Sequence, residues 1–295
     1  MTRLEAILAF AIAGSGAAAT VLVAACGSTR PISRIEDKAR LDVPIAICRQ
    51  PLGPNDVSDA GVAPPEAIWR VVMPSFRGFG STLGPSDTDC AGGVHSAAPG
   101  GGVLGSPALA TDDTVQFVGD EGLALVWLRA FRSSDGLASG PLAFIRTRAS
   151  EVDLYALGTY RGSAKHSRLS MTRIGSTRVI TVIDDGCESV KVDAECDSNL
   201  HIYVVSGARI EETATTPTQR VRYGTLKGVS GRVQFRLSTD PPVFDKLTIK
   251  VHEKVQVRDA ADEDVRGAEG DRVFNLGPDG RLTAAQDSVW SQLHP

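Results

Sequence analysis

Three stretches of this chain carry residue types that could do chemistry. Gly100-Gly101-Gly102-Val103-Leu104-Gly105 has the spacing of a dinucleotide-binding glycine loop. That loop works when a strand leads into it and a helix opens behind it, so that the helix N-terminus meets a pyrophosphate. Here Ala97-Ala98-Pro99 precedes and Ser106-Pro107 follows, which predicts a plain flexible loop. Lys165-His166-Ser167 sets a base beside a hydroxyl. No GxSxG elbow or SxxK pair accompanies it, and a surface loop is the reading it supports. Asp184-Asp185-Gly186-Cys187-Glu188, continuing to Asp193, Glu195 and Asp197, gathers hard oxygen ligands of the kind that hold calcium. It lacks a calcium-loop spacing, and acidic loops are ordinarily solvated. No CxxC pair and no histidine cluster offers a zinc set. These stretches imply no catalytic residue, no cofactor and no metal.

The sharpest local pattern lies in Leu247–Val257. Leu247, Ile249, Val251, Val255 and Val257 share one parity with Glu253 among them, while Thr248, Lys250, His252, Lys254 and Gln256 share the other. A regular strand points Glu253 at the core, where an unpaired carboxylate is costly. A place at the sheet rim or a salt bridge with an arginine resolves that cost. Lys250, His252 and Lys254 then form a basic stripe, and Arg232 and Arg236 add to it if the strand before lies alongside. Such a face suits phosphate-bearing lipid, anionic glycan or an acidic protein surface. It also suits nothing more than keeping a sheet soluble.

The amino end carries an address. Arg3 gives a basic start, and Ala6 to Ala25 is uncharged and apolar, the pattern of a secretory signal. Its closing residues, Val23-Ala24-Ala25-Cys26, resemble the lipobox of bacterial lipoproteins. The resemblance covers residues 1 to about 30. It implies that the Cys26 thiol takes a diacylglycerol, that cleavage falls before Cys26, and that the new amino terminus is acylated. Several acyl chains on one residue exceed what stable anchoring needs, at about 0.8 kcal/mol per buried methylene. Gly27 follows the cysteine instead of an inner-membrane aspartate, which by analogy implies the outer membrane. Membrane attachment through Cys26 is thus the one partner the address implies.

With Cys26 set aside, Cys48, Cys90, Cys187 and Cys196 remain, an even number in an oxidising compartment. Three connectivities exist. Cys48–Cys90 and Cys187–Cys196 keep each bond within one chain region and close the shorter loops. A bond at Cys48–Cys90 would staple an irregular segment that needs one.

The elements that would position these groups are strands. Residues 1–25 read as signal peptide, 26–43 as lipidated tether, 44–110 as a loop-rich Gly/Pro segment with strand-like runs at Val43–Cys48 and Ile68–Met73, and 111–295 as a β domain. Strand patterns recur at Val115–Val118, Leu123–Phe131, Leu142–Thr147, Val152–Leu157, Arg168–Ile174, Arg178–Asp184, Leu200–Val205, Gln219–Tyr223, Arg232–Ser238 and Leu247–Arg258. Hairpin turns such as Ile174-Gly175-Ser176 separate them. Apolar residues fill both parities in Leu123–Phe131 and Arg178–Asp184, which predicts strands between two layers. The expectation is an all-β, antiparallel sandwich or partly closed barrel. Asp259–Asp271 reads as a mobile connection. Leu282–Leu293 reads as a helix capped by Thr283 and Gln286, with Ala285, Val289, Trp290 and Leu293 on its apolar side.

A net charge of −4 gives no global attraction for nucleic acid. The sequence therefore predicts an envelope lipoprotein with a non-catalytic binding or structural role toward an unknown protein, glycan or lipid. Two alternatives stand beside it: a carrier with an apolar cavity, and a hydrolase whose groups meet only in three dimensions.

Overall fold

A computed structural model describes residues 45–53, 56, 62–84, 86–95, 107–118, 123–134, 136–187 and 194–293. The lipobox with Cys26, the tether, the Gly100–Gly105 loop, Glu188 and Asp193 lie outside the described residues.

The chain is all-β; among the described residues 15 strands join in one sheet, with short helices at its margins. Strands β1 (Cys48–Pro51), β2 (Thr114–Val118), β3 (Leu123–Leu128), β4 (Phe131–Arg132), β5 (Leu137–Thr147) and β6 (Glu151–Ser163) form a first antiparallel layer. Strands β7 (Ser167–Ile174), β8 (Thr177–Asp184), β9 (Cys196–Ser206) and β10 (Arg209–Gly224) form a second. Strands β11 (Val233–Thr239), β12 (Val243–Phe244), β13 (Thr248–Arg258), β14 (Asp264–Leu276) and β15 (Leu282–Ala284) form a third. Neighbouring strands are antiparallel except at one place. There Arg209 of β10 meets Leu157 of β6 in a parallel bridge, and the Leu157 amide donates to the Ala208 carbonyl at 3.0 Å. This bridge makes the sheet mixed, and the sheet rolls without closing into a barrel. A Cβ on Gly158 would lie 2.3 Å from the Ile210 carbonyl, so only glycine lets the two strands approach there.

The two-sided strands have the two-layer burial that their composition predicts. Val126 and Leu128 of β3, with Ala143, Ile145, Val152 and Leu154, pack under helix α1 (Pro65–Val72). The opposite parity, with Leu125, Trp127, Phe144 and Tyr160, meets Ile180, Val182 and Tyr203 of the second layer. The far side of that layer carries Val179, Leu200, Ile202 and Val204, which pack on Ile249, Val251, Phe274 and Leu282 of the third.

Four local readings differ from the structure. Of the described part of the run read at Val43–Cys48, only Cys48 is strand, where β1 begins. Ile68–Met73 is not strand-like but belongs to α1. Pro65 opens that helix with its ring preset for helical φ, and Glu66 and Arg70 pair across one turn at 2.7 Å. The segment read as a mobile connection is largely β14, held by its register along the whole of β13. In place of a long C-terminal helix, Leu282–Ala284 pairs with β14, and only α2 (Trp290–Leu293) makes a helical turn. Gln286 supplies no cap; its amide donates to the Asp271 carbonyl.

Both cysteine pairings read from loop length are present. Cys48 bonds Cys90 across a separation of 42 residues, and Cys187 bonds Cys196 across 9. The first ties β1 to the loop behind α1, where the Cys90 amide also donates to the Val72 carbonyl at 2.9 Å. By the loop-closure entropy of the unfolded chain, replacing Cys48 and Cys90 by alanine is expected to cost about 3–4 kcal/mol, against about 2–3 kcal/mol for the shorter loop. Denaturant unfolding of the two double variants checks that order.

Candidate functional site

The basic stripe can be built strand by strand. In β13 the apolar residues Ile249, Val251, Val255 and Val257 are buried, which forces Lys250, His252, Lys254 and Gln256 outward. In β11 the same alternation buries Val233, Phe235 and Leu237 and turns Arg236 out. The two strands are direct neighbours, with Arg236 opposite Gln256 and Ser238 opposite Lys254. Arg232 stands just before β11, its guanidinium carbon 4.4 Å from the centre of the Tyr223 ring. Gln234 donates to the hydroxyl of that tyrosine at 2.7 Å. All five basic residues therefore belong to β11, β13 or the residue that enters them.

Strand β14 changes their electrostatics. Its Asp271 sits opposite His252 and accepts from Lys250 Nζ at 2.6 Å and His252 Nδ1 at 2.8 Å. Hydrogen bonds from Lys250 and His252 hold the Asp271 carboxyl below its usual range, and the bond to Asp271 raises the pKa of His252. The face accordingly grows more positive as pH falls through the raised histidine value. Glu269 stands opposite Lys254. Arg236 and Lys254 are exposed and have no ion-pair partner among the described residues. Arg232, exposed and set over Tyr223, likewise stands outside the ion pairs of the described residues, and these cations are available to a ligand.

Beside them is an open groove of about 470 Å³. Lys254, Gln256, Val265 and Glu269 border it, and Gly267, opposite Gln256, contributes no side chain to fill it. Val255 and Ala268, from the third layer's core cluster, also line it, so the groove runs along the paired strands β13 and β14 beside Lys254. Its neighbour Arg236 lies one strand away in the same cross-strand row.

The other candidates resolve into structural contacts. Glu253 is 1% exposed and paired: Arg272 Nη1 lies 3.8 Å from it, and Ser288 Oγ and the Val289 amide donate at 2.7 and 2.9 Å. The core position and the salt bridge, weighed as alternatives in the sequence, are thus both realised. Ser167 donates to the Ser163 carbonyl at 2.7 Å and shares a 2.8 Å hydrogen bond with Tyr160. In the acidic hairpin, Asp197 pairs with Arg220 at 2.6 Å and with Arg222, while Asp185 accepts from Ser198 at 2.8 Å. Among the described residues no group of three or more histidine, cysteine or carboxylate side chains is placed to hold a metal ion.

Asp271, Gly267 and Glu269 shape the site but fell in a segment read as a connection. The sequence signal for a strand there is confined largely to its end, at Val273-Phe274, because glycine and charge replace the usual apolar alternation before it. Comparison with protein-family models, with curated proteins and with solved structures found no match.

Proposed function

We propose that this chain is the precursor of a lipoprotein of the bacterial cell envelope, anchored through Cys26, with the outer membrane as its site. Its β body acts as a binding module, and its role at the β11–β13–β14 face is recognition without chemistry. The observation that carries this reading is the pairing of two uncommitted cations, Arg236 and Lys254, with an open groove between strands. The layer interfaces behind that face are filled by fully buried Trp69, Trp127, Phe144, Phe235 and Phe274, which supports a solid body over a ligand chamber. The partner it suits is anionic: an acidic protein surface, a charged glycan or a phosphate-bearing lipid.

Two measurements on one tagged protein test this reading. Cys26→Ser is expected to abolish fatty-acid labelling and release the protein from membranes; unchanged labelling would sink the anchor. Arg236→Glu combined with Lys254→Glu is expected to lower recovery of the envelope partner at least tenfold, about 1.4 kcal/mol, because attraction becomes repulsion. Both side chains point to solvent, so stability should hold. Undiminished recovery of every partner by the charge-reversed protein overturns the face as the binding surface.

A further inference from the structure

Asp89, His95 and Thr159 form a hydrogen-bonded series on the first layer, independent of the proposed binding face. Asp89 and His95 are each 5% exposed, whereas Thr159 opens to solvent. The Asp89 carboxylate accepts from the backbone amides of Ala91 and Gly93 at 2.7 and 2.9 Å, and it contacts His95 Nε2. Burial pushes its pKa up, but the His95 hydrogen bond and the two amides outweigh burial and hold the carboxyl below its usual range. An ionised carboxylate only accepts hydrogen bonds. In the neutral imidazole, the ring proton that serves this carboxylate sits on Nε2 and leaves the Nδ1 lone pair facing Thr159 Oγ1 at 2.8 Å. The threonine hydroxyl donates to the imidazole. This is the polarity a nucleophile needs toward its base, with the base oriented by an acid.

The three groups are also held rigidly. Cys90, next to Asp89, is fixed by its bond to Cys48 and by the Val72 carbonyl. An antiparallel bridge between Thr88 and Val94 closes the turn that carries the acid and the base. Thr159 follows Gly158, which is pinned against β10. A loop staple needs only Asp89 and His95, already closed by that bridge. The third member adds an exposed hydroxyl aimed at a buried base.

We propose that Thr159 is a nucleophile activated by His95, with Asp89 as its positioning residue, and that it cleaves O-acyl esters. Thr159 Oγ1 would bond to the ester carbonyl carbon while its proton passes to His95 Nδ1. The ester C–O bond breaks and the alcohol leaves with that proton. Water then adds to the acyl-threonine through the same base, releasing the carboxylic acid and restoring the hydroxyl. No net oxidation or reduction occurs.

The test is covalent. The folded mature protein is incubated with an alkyl fluorophosphonate and, separately, with p-nitrophenyl acetate, and the modified peptide is located by mass spectrometry. The expected results are an adduct on Thr159, its retention on residue 159 in Thr159→Ser, and its loss in Thr159→Val. In His95→Asn the labelling rate is expected to fall at least a hundredfold, in line with general-base catalysis. A purely structural series would shift the melting temperature of these variants and give no adduct. Absence of any adduct at position 159 in both the wild type and Thr159→Ser, with cooperative unfolding intact, overturns the proposal. So does undiminished labelling in His95→Asn. Either failure leaves the cationic face untouched, because the two sites share no residue.

Discussion

Replacing Glu253 by alanine is expected to cost about 3–5 kcal/mol and to release the C-terminal tail. Removing one partner of a buried pair strands the other charge in a low-dielectric setting. Here the stranded groups are several. Arg272, mostly buried, loses its carboxylate, and both Ser288 Oγ and the Val289 amide lose their acceptor. Gly270 stands opposite Glu253, and a Cβ there would come within 3.1 Å of Val289. The missing side chain is what lets the tail reach in. Ser288 Oγ in turn accepts from the Trp290 amide at 3.2 Å, so the carboxylate sets the start of α2 and the seating of Trp290 against Phe235. Glu253→Gln keeps the shape and an acceptor oxygen and should cost much less, about 1–2 kcal/mol. Denaturant midpoints of the two variants, with protease cleavage of the tail as a local probe, decide the matter. A loss under about 1 kcal/mol in Glu253→Ala would falsify the account of the tail.

Trp127→Ala should lower stability by about 3–5 kcal/mol, the range for deleting a large buried aromatic. Trp127 is fully buried between the first and second layers, and its ring meets Tyr160 edge-on at 4.8 Å. The void would open where Leu125, Phe144, Ile180 and Tyr203 converge, and strands hydrogen-bonded along their length cannot collapse into it. Burial raises the Tyr160 pKa strongly, with the charge of Asp184 adding to it. The same cavity should let water reach that phenol and bring its titration back toward the ordinary range. Ultraviolet titration of the tyrosines, beside chemical denaturation, checks both effects. An unchanged denaturation midpoint would show that the two layers are not coupled through this residue.

Much of the body was legible because burial imposes period two on a strand. Val233, Phe235 and Leu237 announced β11, and all three are buried. Apolar residues in both parities announced the strands that lie between layers. The helix α1 was not legible by that route, since five apolar residues among the six from Ile68 to Met73 fit a buried strand as well as one turn and a half of helix. The deciding signals were Pro65 and the Glu66–Arg70 pair. Strand β14 was hidden for a different reason: its first half owes its conformation to backbone pairing with β13 and asks little of its own side chains. The candidate site inherits both outcomes. Alternation alone turns the basic residues to one side of their strands, and the pairing of β11 with β13 brings them together. Their partial neutralisation by Asp271 was not legible, because it depends on a strand the sequence does not announce. Asp89, His95 and Thr159 were invisible as a set, with the base and the hydroxyl 64 positions apart in the chain.

The three layers follow one another in the chain, and the densest strand pairings are between sequence neighbours: β5 with β6, β9 with β10, β13 with β14. Contact order within each layer is therefore low, which favours quick local assembly. A chain growing or emerging from its amino end can complete one layer and then use that layer's bare apolar face as the template for the next. Two contacts break the sequence of events. β1 must wait for β6, about a hundred residues later, and the tail must wait for everything before it to find Glu253. The molecule is thus assembled like a rolled ribbon, with β1 fastened as the first layer closes and the tail fastened last, and the tail is where its unfolding should begin.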